Sequence, residues 1–293
     1  MSGPTGSAGP TGTTRPTAST RPTDKAVHAW SLDGTLGRPR VPGPDGSGPT
    51  TPGGRAAGAL DLLDLPAELA RRGYRAVQIT HFQLPTRDAG YLADLRASLA
   101  ASGITLDAFL VDDGDLTHPA DADLHERWIS AQLDDAEALG AHHARVVAGR
   151  SAPTPETLAA SARRLSRLAA AHPGVAVVTE NWREMMPDAD AVLALLADAG
   201  DVRLLIDLGN WTQPHKHEQL ARIAGHAVTC HAKAHRDEAG RLDDVDYARS
   251  LRVLQDAGYQ GALAMVNEST RPDGSDEWDG LEQEHEVVRR VFG

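Results

Sequence analysis

One cysteine, Cys230, among 293 residues excludes a disulfide framework and a cysteine-rich metal cluster. Long apolar runs are missing too. The longest, Ala191–Ala197, spans seven residues, far short of a membrane helix, so no membrane partner is expected. Positive charge is in deficit, with 29 Lys and Arg against 41 Asp and Glu and a net charge of −12. Arg15, Arg21, Lys25 and Asp24 give the first 25 residues +2, which leaves −14 for the remainder. A polyanionic nucleic acid is therefore not an expected partner. The first 24 residues also lack the apolar core of a secretory signal, and the expected location is the cytoplasm. What is present, 41% hydrophobic and 24% charged residues, suffices for a sizeable buried core.

Eighteen of residues 1–24 are Gly, Pro, Ser or Thr, a composition that cannot bury enough surface to offset ordering entropy. The reading is a disordered tail over 1–24 and a single domain over 25–293. A second such segment, Arg38–Gly58, carries Pro39, Pro42, Pro44, Pro49 and Pro52 and reads as a lid or a flexible insertion.

Eight short strand candidates follow the tail: Val27–Leu32, Ala76–Thr80, Thr105–Val111, Ala144–Ala148, Ala176–Thr179, Arg203–Ile206, Ala227–Cys230 and Ala262–Val266. Their starts advance by about 34 residues per step, the size of a βα unit. Helical segments fall between them at Leu60–Arg72, Pro155–His172, Asp188–Ala199 and Asp244–Ala257, and Leu281–Phe292 closes the chain. The pattern predicts an α/β fold, a (β/α)8 TIM barrel. An open doubly wound sheet fits less well, because no Gly-x-Gly-x-x-Gly follows the first strand.

Barrel chemistry is assembled at the C-terminal ends of strands. Strand 5 ends at Glu180-Asn181-Trp182, strand 6 runs into Asp207 and then Asn210-Trp211, strand 7 into His231 and Lys233, and strand 8 into Asn267-Glu268-Ser269. Three carboxylates and an imidazole thus arrive from four consecutive strands. Crowded carboxylates repel unless a cation holds them, and this donor set suits Mn²⁺, Mg²⁺ or Co²⁺, with Zn²⁺ also allowed. A strand-8 register shifted by one residue would present Asn267 instead of Glu268.

The runs TENW, IDLGNW, CHAKA, VNES, FLVDDGDLTHP and DEWDGLEQE resemble the xylose isomerase-like TIM barrels, and within them the sugar phosphate isomerase/epimerase group. The likeness covers roughly Val27 to Phe292. It implies one divalent ion held by Glu180, Asp207, His231 and Glu268, with Glu180 and Glu268 also serving as catalytic acid and base. The implied reaction removes a proton next to a carbonyl of a ketose-like sugar or polyol and passes through a metal-stabilised enediolate. Barrels of this type often pair, so a homodimer stays open.

Further residues are candidates for substrate contact. Lys233 shares its strand face with His231 and suits a developing negative charge. Trp182 and Trp211, with Trp30, offer flat rings at strand ends, and Asn210 stands beside them. Asp113, in the loop after strand 3, and His81, at the end of strand 2, suit sugar hydroxyls. Arg236 would suit a phosphate or carboxylate. Cys230 alternates with His231 and should face the helices.

The same donor set also fits a dehydratase or lyase acting on a keto-inositol or related keto-sugar, since both reactions begin with proton abstraction. A non-catalytic sugar-binding barrel would be expected to have lost a ligand. An apurinic-site endonuclease would carry further histidines, but Asn210 and Asp244-Val-Asp246 offer none.

Overall fold

The computed structural model describes residues 20–37, 43–44, 60–268 and 276–293. Eight parallel strands close into a barrel in sequence order. They are β1 (Lys25–His28), β2 (Tyr74–Thr80), β3 (Thr105–Val111), β4 (His143–Val146), β5 (Ala176–Glu180), β6 (Arg203–Asp207), β7 (Ala227–Lys233) and β8 (Leu263–Val266). Helices cover the outside: α1 (Asp33–Leu36), α2 (Leu65–Arg71), α3 (Ala89–Ser102), α4 (Ala122–Leu139), α5 (Pro155–Ala171), α6 (Ala189–Asp198), α7 (Lys216–Ile223), α8 (Asp244–Asp256) and α9 (Glu277–Phe292). The fold is the TIM barrel that the spacing predicts.

Local chemistry sets the helix ends. Asp88, Asp188 and Asp243 accept hydrogen bonds from free first-turn amides of α3, α6 and α8. Gly140 ends α4 in a left-handed conformation, φ 74°, that a side chain would strain.

Two apolar layers are kept apart by strand alternation. Leu204, Ile206 and Cys230 face the helices, whereas Ala108, Leu110, Val178 and Leu205 fill the barrel interior. Cys230 thus lies where its alternation with His231 places it. Of three register shifts in the ladder, one skips Arg75 opposite β1, and the other two adjust this pattern in the interior. Opposite β2 the ladder passes from Leu106 to Ala108, and opposite β6 from Ala227 to Thr229. The skipped residues, Asp107 and Val228, turn inward beside their neighbours. Asp107 accepts from Gln78 Nε2 at 2.8 Å and Thr229 Oγ1 at 2.6 Å, forming a buried polar layer across the barrel.

Three boundaries differ from the sequence reading by four residues or more. β1 stops at His28, and Ala29–Leu32 forms a 3₁₀ turn that buries Ala29 and Leu32. The following α1 is anchored by Glu277, which accepts from Gly34 N at 2.7 Å, Thr35 N at 3.0 Å and Thr35 Oγ1 at 2.8 Å. Because Glu277 is used this way, α9 begins there and not at Leu281. α2 starts at Leu65 and not Leu60, since Asp61 holds a preceding turn through Leu63 N and Pro66 needs a first-turn position. Of the tail, residues 1–19 lie outside the described residues, while 20–24 form a turn that buries Thr20 and Pro22. Most of the Arg38–Gly58 segment also lies outside the described residues.

Candidate metal centre and cavity

Alternation carries the buried interior layer up to polar residues at the mouth: Val178 to Glu180 on β5, Leu205 to Asp207 on β6, Thr229 to His231 on β7. Each of these three mouth residues offers an atom within 4.8 Å of the others. His231 Nδ1 lies 3.2 Å from Glu180 Oε1 and 3.5 Å from Asp207 Oδ2. Burial opposes charge on His231, but Glu180 and Asp207 outweigh it and push its pKa up to about 9. The imidazolium holds Asp207 below the usual carboxylate range despite its burial. Asp207 Oδ1 also accepts from Gly209 N at 2.6 Å and Asn210 N at 2.8 Å, and Glu180 Oε1 from Asn210 Nδ2 at 2.9 Å. His231 Nε2 is buried without a hydrogen-bond partner, and Glu180 Oε2 has an ion-pair partner only, Arg145 Nε at 3.0 Å.

That combination fits a divalent cation. Two buried carboxylates raise the proton affinity of the imidazole between them, so the pocket favours positive charge. An ion there would take over the proton's role, with His231 Nε2 still unspent.

Glu268 stands apart. Its side chain is 57% exposed and ion-paired to Lys233 Nζ at 2.8 Å, whereas Glu180, Asp207 and His231 are between 3% and 6% exposed. It lines the cavity above the trio but is not grouped with it. Asn267 turns the other way, accepting from Arg236 Nε at 2.8 Å, so Glu268 is the residue of that pair at the mouth.

The trio lies in a cavity of about 250 Å³, lined also by His28, Trp30, Phe82, Trp182, Asn210 and Lys233. Burial disfavours charge on Lys233, but Asp207 and Glu268 more than compensate and raise its pKa. His28 stacks edge-on to His231 at 4.9 Å. Burial, with His231 and Arg145 nearby, drives its pKa far down and keeps it neutral.

The structure adds Arg145, which the sequence reading passed over. It projects from β4 into the same cavity, donates to Val111 O at 2.9 Å and to Asp112, and places Nε 3.0 Å from Glu180 Oε2. A cation inside an otherwise apolar strand, two residues after His143, is the signal that could have revealed it.

Four expected substrate contacts lie elsewhere. Trp211 is buried among the helices and donates from Nε1 to Met186 O at 2.9 Å. His81 accepts from Asp112 N and lies 3.3 Å from Asp113 through Nε2, so His81 and Asp113 brace the loop after β3 and it is Asp112 that reaches the cavity. Arg236 ties Asn267 to Gly280 O and Gln283 on α9. A second acidic grouping, Asp134, Glu137 and His172, is satisfied internally: His172 bonds Ser130 and faces Asp134, and Glu137 accepts from Gly174 N.

Closed barrel and mouth-side polar cluster together define a barrel with a candidate site, and the sequence narrows the family. Residues 66–291 match the model of the xylose isomerase-like TIM barrel, and the chain belongs to that family. No curated protein sequence matches the chain. Among solved structures, it is similar to a xylose isomerase-like TIM barrel protein from Mycobacterium smegmatis in complex with magnesium, at 15% identity and TM-score 0.65 over 92% of this chain and 98% of that one. It is also similar to D-psicose 3-epimerase from Clostridium cellulolyticum H10 with D-tagatose (13% identity, TM-score 0.66, 92% and 98% covered). D-allulose 3-epimerase from Methylomonas sp. in complex with D-allulose is a third such structure (16% identity, TM-score 0.66, 94% and 99% covered). No helix among the described residues is long and apolar enough to cross a membrane.

Proposed function

We propose that this chain is a divalent-metal-dependent isomerase or epimerase acting on a ketose-like sugar or polyol by proton abstraction next to a carbonyl. The observation that carries the reading is the buried trio Glu180, Asp207 and His231, with His231 Nε2 left without a hydrogen bond. Those three residues would hold the ion, with Mn²⁺, Mg²⁺ or Co²⁺ suited to the oxygen donors and Zn²⁺ allowed. When bound, the ion supplies polarisation of the substrate carbonyl and its adjacent hydroxyl.

The chain's own groups divide the remaining work. Glu180 from β5 and Glu268 from β8 border one cavity from different strands, so one carboxylate takes the proton and the other returns it. Lys233 holds Glu268 in place and lies close enough to accept negative charge developing on the substrate oxygens. Asn210 orients Glu180 through its amide and Asp207 through its backbone N–H. Trp30 and Trp182 wall the cavity, and its volume of about 250 Å³ suits a small sugar and excludes a polymer. Support of a weaker kind comes from the structural relatives, of which one holds magnesium and two are named as ketose 3-epimerases.

The test is metal counting on stripped and reloaded protein, followed by incubation with trial ketoses in D₂O. One ion per chain, with solvent deuterium entering a ketose, is the expected result. Absence of bound metal, or of exchange with every ion, would sink the reading. Elimination of water from a keto-inositol would redirect it to a dehydratase.

A further inference from the structure

The cations that line the cavity are not equally committed. Arg145 has Asp112 and Glu180, and Lys233 has Glu268. Arg183 has no hydrogen bond or ion pair from its side chain among the described residues. Its guanidinium stacks on Trp182 at 3.8 Å, and its Nε is buried without a partner. Its backbone is also exceptional: at φ 66° it is the one non-glycine position with positive φ among the described residues. Side chains rarely adopt that conformation, and where they do the surrounding structure holds them there for a purpose. The turn Arg183–Met186, closed by Met186 N donating to Arg183 O at 3.2 Å, brings the side chain back over the site only three residues after Glu180. Burial and the nearby Arg150 both oppose charge on Arg183, and Asp112 and Glu184 offset this only in part, while Arg150 has Asp113 at 3.8 Å.

We infer that Arg183 is a specificity residue that receives an anionic group, a carboxylate or a phosphate, on the sugar. The inference rests on the reading above in taking the cavity as the substrate site. The charge inventory agrees. With one divalent ion in place of the His231 proton, Arg145, Arg183, Lys233 and the ion face Asp112, Glu180, Asp207 and Glu268, a net +1. A neutral sugar would leave that charge and the guanidinium fork unmatched, whereas an oxyanion satisfies both. Stacking on Trp182 holds the fork flat and ready.

The experiment is calorimetric titration of Mg²⁺-loaded and metal-stripped protein with D-fructose, D-fructose 6-phosphate and 2-keto-D-gluconate, repeated with Arg183→Gly and Arg183→Lys. At least one charged ketose should bind roughly ten-fold or more tightly than fructose. That preference should shrink at about 0.5 M salt. Arg183→Gly should erase it without lowering Tm, because glycine accepts the left-handed backbone. Arg183→Lys should keep part of it, since charge survives and the fork does not. Which charged ketose gains identifies phosphate or carboxylate. Fructose binding as tightly as both charged sugars, or a preference intact in Arg183→Gly, would overturn the inference. One bound metal and deuterium exchange on a neutral ketose would still leave the functional reading standing. A charge preference in a chain that binds no metal would do the reverse.

Discussion

Arg145 Nε lies 3.0 Å from Glu180 Oε2, and both side chains are almost wholly buried. One member of the candidate metal trio therefore has a guanidinium countercharge built into the next strand. Burial opposes the charge on Arg145, yet Asp112 and Glu180 raise its pKa further.

Removing that countercharge should be costly. Arg145→Met takes away the guanidinium that Asp112 and Glu180 share, leaving Glu180 with His231 and Asn210 alone, and a loss of about 3–5 kcal/mol in urea unfolding is expected. Saturating Mn²⁺ should restore part of it by neutralising Glu180 and binding the folded state. An equal loss with and without Mn²⁺ would place the ion away from Glu180.

The separation of Glu268 from the trio predicts unequal roles. Asp207→Asn and His231→Ala should weaken Mn²⁺ binding by about a hundredfold or more, each removing a buried donor. Glu268→Gln should weaken it by less than about tenfold while abolishing deuterium exchange into substrate. Titration of the apoprotein with Mn²⁺ and the exchange assay, run side by side, measure the two effects.

Glu284 on α9 sets a pH dependence. Its carboxyl is buried, neither oxygen has a hydrogen bond, and burial pushes its pKa up to about 8 against the partial relief of Arg236 at 3.5 Å. Between about pH 4.5 and 8 the unfolded chain releases this proton and the folded chain keeps it. Stability from this group therefore falls as pH rises, by roughly 1.4 kcal/mol per unit in that window. Glu284→Gln should remove the slope and stabilise the protein at pH 8 but not at pH 4. Urea midpoints across that range, compared between the two proteins, check it.

Glu277 ties α9 to the segment after β1. Glu277→Ala strands the Gly34 and Thr35 amides and should cost about 2–3 kcal/mol, since hydrogen bonds to a charged group exceed neutral ones. Faster proteolytic cleavage between residues 37 and 60, with the rest of the barrel intact, is the expected readout.

The barrel was legible because eight apolar runs recur with a mean step of about 34 residues, and that average survives errors of a few residues at each end. Glu180, Asp207 and His231 were legible because each lies on the inward face at the end of its strand. Arg145 was missed because it lies within its strand, where an arginine first reads as a surface residue. Trp211, Arg236 and Asn267 carry the opposite lesson. Their partners, Met186 O and the α9 residues Gly280 and Gln283, are 25 to 47 positions away, and nothing local to these residues shows which side each will face. Arg183 shows the limit most plainly, for only the folded backbone shows its positive φ.

The bulge at Val228 has an effect beyond its own strand. Val228 and Thr229 both point inward, so the bulge takes up one residue without advancing the ladder and shifts the alternation above it by one position. That shift sets His231 opposite Asp207 and on the inward face. In an unbulged strand counted from Ala227 it would stand one residue, about 3.3 Å, further along and face the helices. A single residue inserted between Thr229 and His231 without a compensating bulge would therefore turn the imidazole out of the barrel, and extinguish the centre with every candidate ligand still present in the sequence.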